Sequence, residues 1–143
     1  MHVLRGVLAL SLCVSLCAYN LPSYAGGKPL GILTRQGDEQ WGNIAKWILG
    51  AAITAEEVGI TQANAEQLSK SSENPEIRRI LGVEGDFGKM LGLDNDWALK
   101  ALKTSGNYGE MYERHFGAKA LQLPRGVNNL WSKGGLMYSY PFR

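Results

Sequence analysis

The sequence has little cysteine, little net charge and no long apolar run, and each shortage excludes a class of protein. Both cysteines, Cys13 and Cys17, lie near the amino terminus, so the rest of the chain has no thiol for a disulfide, a metal site or a nucleophile. The apolar stretch from Gly6 to Ala18 is too short to cross a bilayer, which takes about 20 residues. A net charge of +2 gives no electrostatic reason to expect nucleic acid as a partner.

Residues 1–25 have the three parts of a secretion signal. Arg5 gives a basic start, the apolar stretch follows, and the small residues Ser23 and Ala25 precede a predicted cleavage after Ala25. Cys17 does not indicate a lipoprotein anchor, because the bulky Leu16 stands where a small residue is expected. We therefore predict a periplasmic or secreted protein whose mature part, residues 26–143, is a single domain.

The mature part is predicted to be mostly α-helical with one or two short strands. LGILTR at 30–35 mixes apolar and β-branched residues, which predicts a buried strand. Asp38 then stands at the N-cap of a long helix that begins at Glu39 and stops before Gly59. Apolar residues recur along this helix at three- and four-residue intervals, at Trp41, Ile44, Ile48, Ala51, Ala52 and Ala55.

Four shorter helices are predicted after the long one. The first is polar and lies on the surface, the second opens with Asn74 and Pro75 as cap and first position, and the third is capped by Asp94 or Asn95. The fourth buries Tyr108, Met111, Tyr112 and Phe116. These helices are expected at about 61–69, 75–82, 95–105 and 107–116, and residues 118–143 form an extended tail.

Glycines punctuate the stretch between the second and third of these helices. The spacing of Gly82, Gly85 and Gly88 does not match a dinucleotide-binding fingerprint, which also needs a preceding strand. We interpret these residues and Gly92 as turns and helix ends.

No catalytic or metal-binding set is evident. Arg35 and Asp38 could pair with the two charges of an amino acid, but a strand-end arginine and a helix cap explain them better. Glu56 and Glu57 are adjacent on a helix and point about 100° apart, so a solvated helix end is favoured over an acid pair for glycoside hydrolysis. His115 has no second ligand or triad partner and is interpreted as a surface or packing residue.

The tail alternates aromatic and basic residues, a composition that single-strand nucleic-acid binders also use. Without a wider basic surface, the favoured interpretation is a tail that packs its aromatics onto the body, and protein binding is the alternative. The residues are Trp131, Lys133, Tyr138, Tyr140, Phe142 and Arg143.

Three segments now carry a resemblance to a known family. They are PLGILTRQGDEQWGNIAKW, NPEIRRILGVEGDFGKMLGLDNDWALKALKTSGNYGEMYERHFG and LPRGVNNLWSKGGLMYSYPFR. Together they resemble the carboxy-terminal segment of periplasmic general L-amino-acid-binding proteins, the solute-binding components of ABC transporters in solute-binding protein family 3. The resemblance begins at about Leu21 or Lys28, so a mis-set start or a frameshift stays open as an explanation of the leader.

The resemblance implies part of one lobe of a periplasmic-binding-protein type II α/β fold, in which two lobes enclose an amino acid. The family's ligand-binding residues lie earlier in its sequence than the matched segment, so none is assigned here, and no cofactor or enzymatic activity is expected. We expect a truncated substrate-binding component without a complete ligand site, with an ABC permease or a second copy as possible partner. The alternative is a secreted helical interaction module, and a cell-wall hydrolase is disfavoured because no catalytic constellation is found.

Overall fold

The computed structural model describes residues 31–118 and 120–142, so the predicted signal peptide lies outside the described residues. The described part is helical, and none of its helices is long and apolar enough to span a membrane. Its α-helices are α1 (Glu39–Glu57), α2 (Ala65–Ser71), α3 (Pro75–Ile80), α4 (Phe87–Met90), α5 (Trp97–Ser105) and α6 (Tyr108–His115). Two short 3-10 helices, Gly126–Asn128 and Trp131–Lys133, follow in the tail.

The long helix α1 begins and ends where the sequence predicts. The Asp38 carboxylate accepts a hydrogen bond from the Trp41 backbone N–H at 3.0 Å, which satisfies one of the amides left free at a helix start. At the other end Gly59 has φ +77°, a left-handed conformation that glycine adopts without a steric penalty. The carboxy-terminal half of α1 is the buried half, and it packs against α3, α5 and α6.

Local capping also sets the starts of α3 and α6. The Asn74 side chain accepts from the Glu76 N–H at 2.9 Å, with Pro75 at the first helical position, as predicted. Asn107 and Glu110 form a reciprocal capping box in which each side chain accepts the other's backbone N–H. Because these signals need only neighbouring residues, the sequence was sufficient to place both helix starts.

Two helix starts differ from prediction. Residues 61–64 form a turn instead of the start of α2, because Thr61 and Asn64 hydrogen-bond each other's backbone N–H through their side chains. The N-cap position of α5 is Asp96, not Asp94 or Asn95. The carboxylates of Asp94 and Asp96 instead both contact the Lys100 ammonium, at 2.9 and 2.8 Å.

Of the three apolar clusters among the described residues, two hold the helices together, and the third joins Tyr112 and Phe116 to Leu123. The larger lies between α1, α3 and α5 and includes one tail residue, and the smaller lies between α1, α6 and the tail. The larger contains Ala51, Ala55, Ile60, Ile77, Ile80, Leu81, Trp97, Leu102 and Phe142. The smaller contains Ala52, Ile53, Tyr108, Met111 and Leu130. All four side chains predicted to be buried on α6, those of Tyr108, Met111, Tyr112 and Phe116, are buried.

The glycine-rich stretch forms tight connections, as predicted. Gly82 has φ +75°, and a Cβ atom there would lie 1.9 Å from the Asn95 carbonyl oxygen. A Cβ atom at Gly88 would lie 2.3 Å from the Asp94 carbonyl oxygen. Because neither glycine has a Cβ atom, the end of α3 and the start of α4 can lie close to the loop before α5.

The strand predicted at 30–35 is wrong for the residues that the structure describes. Residues 31–35 have no regular structure, and the Leu33 side chain is 92% exposed. Within the described ranges there is no strand, only an isolated bridge between Leu130 and Met137. A strand forms only when another strand accepts its main-chain hydrogen bonds, and the described residues supply none for 31–35.

Candidate functional site

Arg35 and Asp38, disfavoured from the sequence as a pair for the charges of an amino acid, do not form an enclosed site. The Asp38 carboxylate is engaged by the first turn of α1, and the Arg35 carbonyl accepts the Asp38 N–H at 3.1 Å. The two residues line an open polar depression together with Thr34, Gln36, Gly37, Glu39, Gly42 and Asn43. A zwitterion needs groups for both charges and walls that exclude water, and one open surface does not provide the walls.

A small cavity lies between α1, α5 and α6. Its lining is almost wholly apolar, from residues such as Ile48, Leu102 and Met111, and its volume is about 10 Å³. This space is about that of one water molecule, so an amino acid does not fit. Neither this cavity nor the open depression beside Arg35 and Asp38 encloses a space that could hold an amino acid.

The carboxylates of Glu56 and Glu57 lie in different environments. Glu57 is exposed and accepts a hydrogen bond from the Trp131 indole N–H at 2.9 Å. The Glu56 side chain is only 8% exposed, and both of its carboxylate oxygens accept hydrogen bonds from the Arg125 guanidinium. The distance from Arg125 Nη2 to Glu56 Oε2 is 2.9 Å. The prediction of a solvated helix end is therefore wrong for Glu56. As expected of helix neighbours, the two carboxylates do not converge on one bond.

Arg125 is the polar residue that sequence reasoning missed. Its guanidinium lies 5.6 Å from the ring centroid of Tyr108 and 5.7 Å from that of Tyr112, so two aromatic rings of α6 flank the charge. Its Nη2 also donates to the Asn128 carbonyl at 2.9 Å. Arg125 and Glu56 are 69 positions apart, and a pair so distant leaves no local pattern in a single sequence.

Glycine at position 109 makes room for this ion pair. A Cβ atom there would lie 2.9 Å from the Glu56 carboxylate carbon and 3.1 Å from Arg125 Nη1. The arrangement joins α1, α6 and the start of the tail. The positive charge of Arg125 is paired with the negative charge of Glu56. We therefore interpret it as a structural connection and not as a ligand site.

His115 is half-buried and lies with its ring centroid 6.4 Å from that of Phe116. In the part of the chain that the structure describes, no three His, Cys, Asp or Glu side chains come together in a way that could hold a metal ion. The location of His115 fits the predicted packing role.

The tail aromatics divide into a buried and an exposed group. Phe142 is buried and makes edge contacts with Trp47 and Phe87, at ring-centroid distances of 5.3 and 5.9 Å. Tyr140 is 56% exposed, although its ring contacts that of Trp47 and lies 4.6 Å from the Lys46 ammonium.

The exposed group consists of Tyr140, Trp131 and Tyr138, each more than half exposed. The rings of Trp131 and Tyr138 contact each other, with a centroid distance of 6.3 Å. Lys133 is exposed as well, and Arg143 lies outside the described residues. The predicted packing of the tail onto the body thus applies to Phe142, only in part to Tyr140, and less to Trp131 and Tyr138.

Comparison with known proteins identifies relatives of one kind, although no family model matches the chain. The chain is 52% identical over 124 residues to the glutamate/glutamine/aspartate/asparagine-binding protein BztA of Rhodobacter capsulatus, and 50% identical over 126 residues to the general L-amino acid-binding periplasmic protein AapJ of Rhizobium johnstonii. Each match covers 86% of this chain and 37% of the relative. The chain thus spans little more than a third of the length of these relatives.

A solved structure gives the same result. It is an ABC transporter periplasmic binding protein from Brucella ovis with glutathione bound, 48% identical to this chain with a TM-score of 0.79. The match covers 86% of this chain and 39% of that one. The resemblance indicated by the sequence motifs is confirmed: this chain is a homologue of the amino-acid-binding periplasmic proteins of ABC transporters and corresponds to their carboxy-terminal segment.

Proposed function

We propose that this chain provides the carboxy-terminal segment of the substrate-binding component of an amino-acid ABC transporter, without a complete ligand site of its own. The observation that carries the proposal is the match to a periplasmic binding protein at 48% identity and a TM-score of 0.79, over 39% of that protein. The cavity between α1, α5 and α6 is too small for an amino acid and the depression at Arg35 and Asp38 is open, which supports the second half of the proposal.

The substrate class follows from the relatives. BztA is named for binding glutamate, glutamine, aspartate and asparagine, and AapJ is named for general L-amino acids. All of these ligands are zwitterions, so we propose L-amino acids as substrates of a protein that contains this segment. The relatives are named as binding proteins, and the role that we propose here is likewise binding and not catalysis.

We propose the periplasm as the site of action. AapJ is named as a periplasmic protein, and residues 1–25 have the pattern of a secretion signal. An ABC permease is the partner that a substrate-binding component would contact, and it belongs to the same proposal.

A segment exchange tests this function. Residues 31–143 replace the matching segment of BztA, and glutamate binding by the chimera is measured by calorimetry beside unaltered BztA. We expect the chimera to bind glutamate within about tenfold of BztA, because a segment about half identical replaces its counterpart and about 1.4 kcal/mol corresponds to that factor. A folded chimera without glutamate binding would contradict the proposal.

The full chain alone provides the second arm. We expect no glutamate, glutamine, aspartate or asparagine binding at micromolar affinity, because zwitterion recognition needs an enclosed site with partners for both charges. Micromolar binding by the lone chain would show that the site is complete without the rest of the relative.

A secreted interaction module remains the second candidate function. The exposed Trp131 and Tyr138 favour it, since exposed aromatic pairs are enriched at protein interfaces. Light scattering over a concentration series tests self-association, and a monomer at all concentrations would count against a module that pairs with itself.

A further inference from the structure

Four residues of α1 and α6 surround the guanidinium group of Arg125, which belongs to the tail. We call them the guanidinium cradle: Glu56, Tyr108, Gly109 and Tyr112. The carboxylate of the cradle is buried and accepts from both terminal nitrogens of Arg125, and its two aromatic rings lie within 5.7 Å of the guanidinium carbon. A carboxylate with two acceptor oxygens and flanking aromatic faces are the groups by which proteins recognise a guanidinium.

The cradle fits a guanidinium better than an ammonium. Nη1 and Nη2 of Arg125 both donate to Glu56, and a lysine ammonium, which is a compact point charge, cannot repeat this two-pronged contact. The Nε atom of Arg125 is buried and has no hydrogen-bond partner among the described residues, so the polar recognition is concentrated on the terminal edge of the group. Gly109 leaves room for that edge, because a Cβ atom there would lie 3.1 Å from Nη1.

The tail is anchored on both sides of Arg125 by groups other than its side chain. Before it, the Pro124 carbonyl accepts a hydrogen bond from the Tyr112 hydroxyl at 3.0 Å. After it, Leu130 is buried in the smaller apolar cluster. Removal of the Arg125 side chain should therefore leave the flanking chain in place and open a space of that shape beside Glu56. Because the Arg125 side chain is 15% exposed, one edge of this space would be open to solvent.

We propose that the guanidinium cradle is a binding site for an alkylguanidinium group and that Arg125 of the tail is its ligand in the intact chain. A ligand tethered so closely has an effective concentration of about a millimolar or more, so free ligands do not displace it and the filled cradle acts as a structural connection. An alkylguanidinium of another molecule, including an arginine side chain, can bind once Arg125 is absent. The inference goes beyond the proposed function and does not depend on it, since the segment-exchange chimera tests glutamate binding.

The test uses Arg125→Ala in the full chain, with ethylguanidinium as the probe because its heavy atoms are those that the substitution removes. We expect a dissociation constant on the order of 10 mM, as is typical of so small a ligand, so about 100 mM probe should raise the folding equilibrium constant of the variant about tenfold in urea denaturation. The intact chain in the same solutions is the reference, because guanidinium salts weaken the folding of any protein. n-Propylammonium, with the same charge and a similar length, should give no such gain.

The double variant Arg125→Ala/Glu56→Gln is the matched control. It has the same space beside α6 but lacks the negative charge of the cradle, so ethylguanidinium should not stabilise it relative to the intact chain. Stabilisation as large as that of Arg125→Ala would show that the probe binds elsewhere, and would overturn the inference.

Arg125→Lys tests the same recognition in a chain that keeps its charge, and it decides the matter if Arg125→Ala does not fold. We expect its folding equilibrium constant to be at least about tenfold below that of the original chain, because an ammonium cannot make the two-pronged contact. A lysine variant as stable as the original chain overturns the inference. A folded Arg125→Ala variant that gains nothing from ethylguanidinium, or gains as much from n-propylammonium, overturns it as well.

Discussion

Arg125 and Glu56 form a two-pronged ion pair that joins the start of the tail to the end of α1 across 69 positions of sequence. The two side chains are 15% and 8% exposed, so water screens their charges little. Nη2 of Arg125 also donates to the Asn128 carbonyl, so the same guanidinium links the end of α1 to the first 3-10 helix of the tail.

Removal of this pair should be costly. Arg125→Ala leaves the Glu56 carboxylate buried without its cation, and we expect the free energy of unfolding to fall by about 3 kcal/mol in urea denaturation. Lys70→Ala is the matched control, because its ion pair with Glu66 is exposed on both sides and is worth less than about 1 kcal/mol. An Arg125→Ala variant as stable as the control would show that the pair contributes nothing.

Phe142 should be the tail residue on which packing most depends. It is buried against Trp47 and Phe87, so Phe142→Ala should lower the free energy of unfolding by about 3 kcal/mol through lost burial and the cavity left behind. Tyr140→Ala, at a more exposed position, should cost clearly less. Equal losses in thermal or urea denaturation would contradict the division of the tail into buried and exposed aromatics.

Gly82 and Gly134 separate two reasons for glycine. Both have positive φ, +75° and +81°, but only at Gly82 would a Cβ atom meet backbone, 1.9 Å from the Asn95 carbonyl oxygen. Gly134→Ala should therefore cost about 1 kcal/mol for the left-handed backbone alone. Gly82→Ala should cost at least about 1 kcal/mol more, because the loop before α5 must move. Urea denaturation compares the two variants. Equal losses in the free energy of unfolding would mean that the loop before α5 moves without an energetic cost.

Tyr112 should make stability depend on alkaline pH. Its hydroxyl donates to the Pro124 carbonyl at 3.0 Å, and burial raises the pKa of the phenol above its ordinary value of 10.0, with Arg125 opposing the shift. Because the pKa is higher in the folded state, this stability is fully present below the unfolded pKa and is lost as the pH rises through the folded pKa. The free energy of unfolding should therefore fall above pH 10.0.

The variant Tyr112→Phe isolates this contribution. It should cost about 1 kcal/mol at neutral pH for the lost hydrogen bond, and its stability should fall less steeply than that of the original chain in alkaline buffer. Tyr138→Phe, at a side chain that is 63% exposed, serves as the control and should keep the original slope. Identical slopes for all three proteins would assign the alkaline loss to other groups.

The parts of the fold that were predicted correctly depend on neighbouring residues. A helix start is fixed here by side chains that accept a hydrogen bond from a backbone N–H within three positions. These are the side chains of Asp38, Asn74 and Asn107. For α5 the predicted caps Asp94 and Asn95 stand next to the observed N-cap Asp96, whose side chain makes no capping hydrogen bond and instead pairs with Lys100.

The predictions that failed depend on distant groups. The strand expected at 30–35 was judged from composition, but strand pairing needs a second segment, and none lies near it in the described ranges. The solvated state assigned to Glu56 followed from its position at a helix end, whereas its burial is caused by Arg125, which no local pattern connects to it. Asp38 is a helix cap, as interpreted from the sequence, whereas the walls that a ligand site needs come from contacts remote in sequence.

Gly50 has a practical consequence for anyone who redesigns this segment. The Ser139 hydroxyl donates to the Gly50 carbonyl at 2.9 Å. A Cβ atom at position 50 would lie 3.1 Å from the Ser139 hydroxyl oxygen. Replacement of a helical glycine by alanine is a routine way to stabilise a helix. At position 50 the added methyl group would crowd the Ser139 hydroxyl that binds the helix there. Attempts at thermostabilisation should therefore treat the middle of the longest helix and the far end of the polypeptide as a single unit that has to be altered together.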